Sequence, residues 1–160
     1  MKRVILLLQV VLIVFFVSFA VTAAEKRYKD MKNGTIYDAN LQKTWLRDDS
    51  YKDKNEWLNW RQAQEYIRHK NMAMEADFSD WRLPTRKELK SLYDRRSGQP
   101  TYDQSTNIYH SKLFNTAFCY FWTNEIMYEN LIWQVSLCNG KAYPTLEHNG
   151  PGNSVLLIRP

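Results

Sequence analysis

Two cysteines, Cys119 and Cys138, are the residues whose chemistry the sequence indicates most clearly. Each lies at one end of an apolar segment, at residues 119–123 and 131–138, and a polar loop at 124–130 separates the two segments. Antiparallel pairing of these segments would place the two thiols opposite each other. A disulfide there would close a short loop and stabilise the fold by about 3 kcal/mol. A catalytic or metal-binding cysteine pair is the alternative.

Other catalytic chemistry has little support in the residue pattern. None of the three histidines has a Cys, Asp or Glu at metal-ligand spacing, so we interpret each as a solvated or loop residue and predict no metal site. Nucleophile-elbow and phosphate-loop patterns are absent from the sequence. An acidic cluster ahead of residue 57 lacks the spacing of a calcium loop, and we interpret it as a solvated loop. The histidines are His69, His110 and His148, and the acidic residues are Asp48, Asp49, Asp53 and Glu56.

A group of basic residues is the better candidate for binding a ligand. Arg86 and Lys90 share one face of a predicted helix, and an arginine guanidinium suits bidentate binding of sulfate, phosphate or carboxylate groups. Glu88 and Asp94 interrupt the group, and Arg82 could instead form a structural ion pair with a buried carboxylate. The basic residues are Arg82, Arg86, Lys87, Lys90, Arg95 and Arg96.

The helix that carries these basic residues has a strong start signal. Pro84 restricts the residue before it to extended geometry. Thr85 can cap the helix, and Glu88 can return a hydrogen bond to the amide of the cap, which makes a capping box. The apolar residues that follow recur at i, i+3 and i+4, so the sequence predicts an amphipathic helix over residues 85–94.

Six residues lead into this helix: Asp80, Trp81, Arg82, Leu83, Pro84 and Thr85. They resemble the signature of the Lcl C-terminal domain family, which is named for a collagen-like bacterial adhesin. Weaker matches flank the signature, so the resemblance spans roughly residues 27–159. It implies a fold similar to that of C-type lectins and a role in binding. Because the family's named member is an adhesin for sulfated polysaccharides, it also implies an anionic glycan as ligand.

The resemblance raises the question of calcium, because sugar-binding C-type lectins hold their sugar through a calcium ion. Their Trp-Asn-Asp strand has an incomplete counterpart in Trp122, Asn124 and Glu125, and their Glu-Pro-Asn loop has none. Calcium needs several oxygen ligands together, so the sequence predicts no cofactor. If calcium does bind, Asn124 and Glu125 are its candidate ligands, whereas Trp122 is alternatively a core residue.

Relatives in the family, and enzymes of similar fold, use cysteine in two ways that can be compared with this chain. Many relatives have a disulfide between the first helix and the last strand, and the corresponding positions here are Ile67 and Leu157, two apolar residues that could pack against each other. Formylglycine-generating enzymes are similar in general fold and use cysteine chemistry. Nothing else in this chain resembles the active-site sequence of those enzymes.

The N-terminal residues have the three parts of a secretory signal. Lys2 and Arg3 precede an apolar run over residues 4–19, so we predict a signal peptide over residues 1–24 and one domain over residues 25–160. The run approaches the ~20 residues that cross a bilayer. An uncleaved anchor is therefore the alternative, and only an anchor would bring contact with a membrane. Either way, the domain is periplasmic, secreted or on the cell surface.

The predicted mature domain is mildly basic. The chain has 22 basic and 17 acidic residues, and removal of Lys2 and Arg3 leaves 20 minus 17, or a net charge of +3. This charge suits an anionic glycan without requiring one. Since the protein is exported and only slightly basic, we expect no nucleic acid partner.

The remaining pattern predicts an α+β fold of the C-type-lectin-like kind, with two helices packed on a small, twisted, mostly antiparallel sheet and with long loops. Asn59 and Gln62 make a second capping box, which predicts a helix over residues 59–70. The Asn139-Gly140 pair predicts a hairpin turn. Predicted inward residues of the first helix are Trp60, Ala63 and Ile67; predicted strands are 119–123, 131–138, 141–143 and 154–159; predicted loops are 47–57, 95–113 and 144–153.

We therefore predict an exported, non-catalytic recognition module that binds a polysaccharide, including anionic ones, or a protein of the cell envelope or surface. Trp, Tyr and Asn residues of the loops would make the contacts. A structural or assembly subunit of an envelope complex is the alternative, and an enzyme of the formylglycine-generating type is the less favoured third interpretation. The candidate ligand-binding residues are Arg86, Lys87, Lys90, Trp122, Asn124 and Glu125.

Overall fold

The computed structural model describes residues 26–160, and the predicted signal peptide lies outside them. The described residues form an α+β domain, as predicted, with three α-helices in place of the two expected. No helix within this range is long and apolar enough to cross a membrane. The helices are α1 (Ser50–Lys54), α2 (Trp60–Met72) and α3 (Arg86–Leu92), and a 3₁₀ turn covers Glu75–Asp77.

The strands form two four-stranded sheets and a two-stranded arm. The first sheet is antiparallel throughout, and in the second sheet one edge strand runs parallel to its neighbour. The first sheet contains, in spatial order, β1 (Tyr28–Asp30), β2 (Thr35–Asp38), β3 (Lys43–Leu46) and β10 (Ile158–Arg159). The second contains β8 (Ala142–Leu146), β7 (Leu131–Ser136), β6 (Tyr120–Tyr128) and β9 (Asn153–Ser154). The arm pairs β4 (Gly98–Pro100) with β5 (Asn107–Tyr109).

The signature residues ahead of α3 join this helix to the first sheet. Arg82 and Ile158 exchange two backbone hydrogen bonds of 3.0 Å. The guanidinium of Arg159 donates to the carboxylate of Asp80 at 2.6 Å. Trp81 is 2% exposed, and its indole N–H donates to a carbonyl of the 3₁₀ turn at 3.0 Å. The signature therefore fixes the position of α3 against the closing strand of the domain.

Both predicted capping boxes are present. The side chain of Asn59 accepts from the amide of Gln62, and the side chain of Gln62 accepts from the amide of Asn59, each at 2.9 Å. Thr85 and Glu88 make the same reciprocal pair at the start of α3. Each cap satisfies amides that the first helical turn leaves without partners, so these two helix starts are set by residues close in sequence.

Residues 47–57 are not the loop that the sequence predicts, because they contain α1. Asp49 caps this helix by accepting from the amide of Lys52 at 2.9 Å, and its side chain is fully buried. The prediction of a solvated acidic cluster is therefore wrong for Asp49. A helix of five residues makes little more than one turn, so no apolar period marks it in the sequence.

Two clusters of buried apolar residues form the core. The first joins the first sheet to α3 and to the centre of the second sheet. The second joins α2 to the signature residues and to β6, and it includes both Leu157 and the partly buried Ile67, so these two apolar positions lie in one cluster as expected. The first cluster includes Ile36, Trp45, Leu89, Phe121 and Val135, and the second includes Ala63, Tyr66, Trp81, Trp122 and Leu157.

The second sheet carries the predicted disulfide but differs from the predicted strand limits. Cys119 and Cys138 are bonded, with their Cα atoms 5.2 Å apart, beside the antiparallel strands β6 and β7. The loop predicted at 124–130 is wrong, because β6 continues to Tyr128 on its backbone pairing with β7 despite its polar side chains and register irregularities. The strand predicted at 154–159 is broken into β9 and β10 by three buried residues.

The long polar stretch at 95–113 is not a continuous loop, because it contains the arm. At the tip of the arm, the amide of Thr101 donates to the carbonyl of Thr106 at 2.9 Å. The carboxylate of Asp103 accepts from the hydroxyls of Thr101 and Ser105 at 2.7 and 2.8 Å. The arm therefore presents its tip as a hydrogen-bonded turn.

The predicted loop at 144–153 also begins later than expected, because β8 extends to residue 146.

Candidate ligand-binding surface

Arg82 forms a structural ion pair, which was one of the two interpretations of its role. Its guanidinium donates to the carboxylate of Glu88 at 2.8 and 2.9 Å, and that carboxylate side chain is 11% exposed. Burial alone would raise the pKa of Glu88, but hydrogen bonds from Arg82 and from the amide of Thr85 lower it overall. The charge of Arg82 is therefore neutralised within the protein.

Arg86 and Glu125, both candidate ligand-binding residues, are paired with each other. Glu125 accepts from the backbone amide of Arg86 at 2.6 Å and from its Nε at 2.5 Å. The guanidinium of Arg86 also lies 4.3 Å from the ring centroid of Trp133. Both carboxylate oxygens of Glu125 thus have protein donors, and the charge of Arg86 is offset.

Trp122 and Asn124 have different exposures. Trp122 has no exposed surface, and its indole donates to the carbonyl of Leu58 at 2.7 Å, so it is a core residue that cannot touch a ligand at the surface. Asn124 is exposed, and its backbone amide donates to the carbonyl of Pro84 at 3.0 Å. Within residues 26–160, no group of three or more His, Cys, Asp or Glu side chains is placed to hold a metal ion.

The other basic residues of the predicted patch are exposed. Lys87 and Lys90 project from α3, and Arg95 follows it; none of these three forms an ion pair with another residue in the described range. Arg96 pairs with Asp94 at 3.1 Å. The predicted patch is therefore divided, with half of its six cations neutralised by carboxylates and half free.

An open groove of about 800 Å³ lies at the C-terminal end of α3. Four of its described lining residues are cations and one, Asp94, is a carboxylate. The groove therefore has a net positive charge, which would attract an anionic ligand. We call it the basic groove; its lining includes Lys26, Arg27, Asn40, Arg96, Ser111 and Lys112.

Arg27 is a fixed part of the groove wall. Its guanidinium donates to both carboxylate oxygens of Asp38 at 2.7 and 2.9 Å and to the hydroxyl of Ser91 on α3 at 2.8 Å. Asp38 is fully buried, and a bidentate pair of this kind holds the guanidinium in one orientation. Lys26 and Lys112 are exposed and form no ion pair with the described residues, so they are the groove cations available to a ligand.

Four aromatic rings form a second surface feature at the tip of the arm. The ring centroids of Trp57 and Phe118 lie 4.1 Å apart, and those of Tyr51 and Trp57 lie 4.6 Å apart. Tyr102, at the arm tip, lies 5.9 Å from Tyr51 and is 61% exposed. We call these four residues the aromatic cluster. The sequence predicted loop aromatics as contacts in general, but nothing in it indicated that these four would meet.

Asp49 connects the segments that carry the aromatic cluster. Its two oxygens accept from the amides of Lys52 and Ala117, each at 2.9 Å, so α1 is tied to the segment that carries Phe118. Burial raises the pKa of Asp49 to about 6, although both hydrogen bonds act to lower it. The amide of Tyr102 donates to the carbonyl of Ala117 at 2.8 Å. One short network therefore positions three segments.

His110 lies in the loop after β5 and is fully buried, so the expectation of a solvated or loop histidine is right about the loop and wrong about the solvation. Its Nε2 hydrogen-bonds the hydroxyl of Thr116 at 2.5 Å, and its Nδ1 hydrogen-bonds the carbonyl of Ser111 at 2.8 Å. Burial lowers the pKa of His110, because a buried site disfavours the charged ring. The burial of His110 could not be predicted, because a lone histidine in a polar stretch has no burial pattern.

Comparison with known proteins adds one finding. The model of a protein family described as the Lcl C-terminal domain matches residues 34–159 of this chain. The matched range includes all three helices, the arm and every strand except β1. No curated protein and no solved structure matches the chain. The resemblance seen in the signature residues is thus confirmed over most of the sequence.

Proposed function

We propose a function from one premise: the chain belongs to the Lcl C-terminal domain family. Domains of this family occur in adhesin-like proteins and are not a known enzyme family. Family membership and the Cys119–Cys138 disulfide both fit an extracellular protein. We infer that this chain is a non-catalytic recognition domain of C-type-lectin-like fold, exported by its N-terminal signal, that binds an anionic polysaccharide.

The basic groove is the observation that carries this proposal. It offers two free lysines, Lys26 and Lys112, beside the fixed guanidinium of Arg27. Ammonium and guanidinium groups bind sulfate and carboxylate groups through charge-assisted hydrogen bonds, which are the stronger kind. Neutral polar side chains at Asn40 and Ser111 add partners for sugar hydroxyls. The groove thus combines the groups that an acidic sugar requires.

The shape of the positive surface favours a chain over a small anion. Ser91 contacts Arg27 in the groove, and Lys87 lies one helical turn before Ser91 on the same face of α3. The exposed cations of α3 therefore continue from the groove along the helix. A polysaccharide with charges on successive residues could contact both, whereas an isolated sulfate ion would occupy only one position.

Binding of the exported protein to heparin, a sulfated polysaccharide, tests this proposal. The double variant Lys26→Gln/Lys112→Gln should bind at least about tenfold more weakly, a loss of ~1.4 kcal/mol. Binding of the wild type should also weaken as salt rises, because exposed charges are screened over ~8 Å at physiological ionic strength. Surface plasmon resonance at several salt concentrations measures both effects.

A matched control removes the same charge elsewhere. Lys54 and Lys141 are exposed and do not line the basic groove, so Lys54→Gln/Lys141→Gln should reduce binding only slightly. Equal losses in the two double variants would show that net charge, and not the groove, determines binding. Absence of heparin binding at low salt would remove the proposed function itself.

A protein partner is the second candidate function, because the hairpin of β6 and β7 exposes apolar side chains. Ile126 is 58% exposed, Tyr128 is 66% exposed and the neighbouring Leu146 is 46% exposed. Adjacent exposed apolar residues of this size often mark contact sites between proteins. Under this proposal, a stoichiometric envelope protein should co-purify with the wild type and be lost with Ile126→Asp. Co-purification of the same protein with both forms would exclude the hairpin as the contact.

A further inference from the structure

The aromatic cluster is not explained by the hydrophobic core. None of Tyr51, Trp57, Tyr102 and Phe118 belongs to either of the two core clusters or packs against them as a partly buried neighbour. Tyr102 leaves 61% of its surface in water, and the other three are partly exposed. Aromatic side chains contribute most to stability when they are fully buried. Four of them in mutual contact at the surface therefore need another explanation.

The cluster is held in place by hydrogen bonds beneath it. The carboxylate of Asp49 binds amides of α1 and of the segment that carries Phe118. The arm tip is attached to that same segment by the hydrogen bond from the amide of Tyr102 to the carbonyl of Ala117. Within the tip, Asp103 closes a turn with Thr101 and Ser105. The rings are thus preorganised, which reduces the entropy that a ligand must overcome.

The charges around the cluster select among ligands that bind aromatic rings. The ammonium group of Lys52 lies 4.8 Å from the ring centroid of Tyr102, in the position that a cationic ligand would take. A quaternary ammonium or methyl-lysine group would therefore be repelled. A sugar ring would not, because its C–H groups pack on an aromatic face while its hydroxyl or carboxylate groups can accept from Lys52.

We propose that the aromatic cluster is a second saccharide subsite, in which a pyranose ring stacks on Tyr102, the most exposed of the four rings. This inference rests on the proposed polysaccharide-binding function and adds a contact that does not depend on charge. The ammonium of Lys52, which lies over one face of the Tyr102 ring, donates to the sugar's polar groups. Stacking on the ring supplies affinity, and the hydrogen bonds from Lys52 supply orientation.

The arm relates the new subsite to the basic groove. Ser97, at the base of the arm, lines the groove, and Tyr102 lies five residues further along the chain. At ~3.3 Å per residue for a fully extended strand, Ser97 and Tyr102 are at most roughly 17 Å apart. A saccharide chain of several units can span that distance, so the groove would hold its charged groups while the cluster holds one ring.

A glycan array of neutral and acidic oligosaccharides, probed in about 1 M salt, separates the two sites, since charges are then screened over ~3 Å. The exported wild type should retain binding to at least one oligosaccharide under these conditions. Tyr102→Ala should bind that oligosaccharide at least tenfold more weakly, and Tyr102→Phe, which keeps the ring, should bind it as tightly as the wild type does. Tyr120→Ala is the matched control, because Tyr120 is also an exposed tyrosine but packs against Tyr143, outside the cluster.

The outcomes distinguish this inference from the proposed function. Loss of high-salt binding in Tyr102→Ala, with the groove variant Lys26→Gln/Lys112→Gln unaffected at high salt, supports the subsite. Absence of all binding in high salt, or equal binding by Tyr102→Ala and the wild type, overturns it and leaves the low-salt heparin test of the groove intact. Because Tyr102 is mostly exposed, its replacement should leave the fold unchanged, which circular dichroism checks.

Discussion

Replacement of Asp49 by Asn should change how stability depends on pH. Asp49 is fully buried, and this burial raises its pKa from 3.8 to about 6 despite hydrogen bonds from the amides of Ala117 and Lys52. The folded protein therefore holds the Asp49 proton more tightly than the unfolded chain does. It follows that Asp49 favours folding most below pH 3.8 and progressively less as the pH rises to about 6.

The size of the effect follows from the shift in the pKa of Asp49. A difference of about two pKa units, at 1.36 kcal/mol for each unit, amounts to about 3 kcal/mol of unfolding free energy. Wild-type protein should lose this amount between pH 3.8 and about 6. An Asn side chain does not titrate there. The unfolding free energy of Asp49→Asn minus that of the wild type should therefore rise by about 3 kcal/mol across this window.

Urea unfolding of both proteins at a series of pH values measures this difference. Tryptophan fluorescence reports the transition, since several of the six tryptophans are buried, and linear extrapolation gives the unfolding free energy. Other titrating groups are common to both proteins and cancel in the difference. The absolute stability of the variant does not enter, so a constant cost from an imperfect amide contact would not affect the result.

Asp103→Asn is the matched control, because its shift has the opposite sign. Hydrogen bonds from the hydroxyl of Thr101 and from the amide and hydroxyl of Ser105 lower the pKa of Asp103. It therefore favours folding above its unfolded pKa and loses that effect as the pH falls. The unfolding free energy of Asp103→Asn minus that of the wild type should therefore fall as the pH rises. A flat profile for Asp49→Asn, or one that falls as in the control, would refute the reasoning.

Two further changes test the covalent and backbone constraints of the second sheet. Serine in place of both cysteines should lower the unfolding free energy by about 3 kcal/mol in urea; an unchanged midpoint would mean that the paired strands alone constrain this loop. Gly140→Ala should destabilise the protein by more than Gly34→Ala, although both glycines have positive φ. A Cβ at Gly140 would lie 2.7 Å from the ring of Tyr93, whereas a Cβ at Gly34 would meet no atom within 4 Å. An equal decrease in Tm for the two variants would show that φ strain, and not the contact with Tyr93, sets the cost.

The parts of the fold that could be predicted are those determined by residues close in sequence. The capping boxes of α2 and α3 involve residues three positions apart, so each helix start is visible without tertiary information. The disulfide joins the flanks of one hairpin, and its two apolar segments indicated that pairing. The short α1 and the arm lacked such signals, because a single helical turn and two three-residue strands show no period.

The aromatic cluster could not be predicted because tertiary contacts alone bring its members together. Tyr51 comes from α1, Trp57 from the loop that follows, Tyr102 from the arm tip and Phe118 from the segment before β6. Tyr51, Trp57 and Tyr102 lie in stretches that were predicted to be loops, whereas Phe118 comes directly before the apolar segment at 119–123. Their meeting depends on the buried carboxylate of Asp49, and burial of an acidic residue runs against the usual preference. The carboxylate of Asp49, which was predicted to lie in a solvated loop, thus positions the candidate subsite.

Charge that is free to bind a ligand is a tertiary property, and the basic patch shows why. Sequence proximity grouped six cations, but Arg82, Arg86 and Arg96 each lie against a carboxylate in the folded chain. At the start of α3, the capping Glu88 is held where Arg82 can reach it. Lys26 and Lys112, distant in sequence, both line the basic groove and have no carboxylate partners among the described residues. An anionic ligand would therefore gain more from these two lysines than from the arginines of the signature segment, whose pairs it would first have to break.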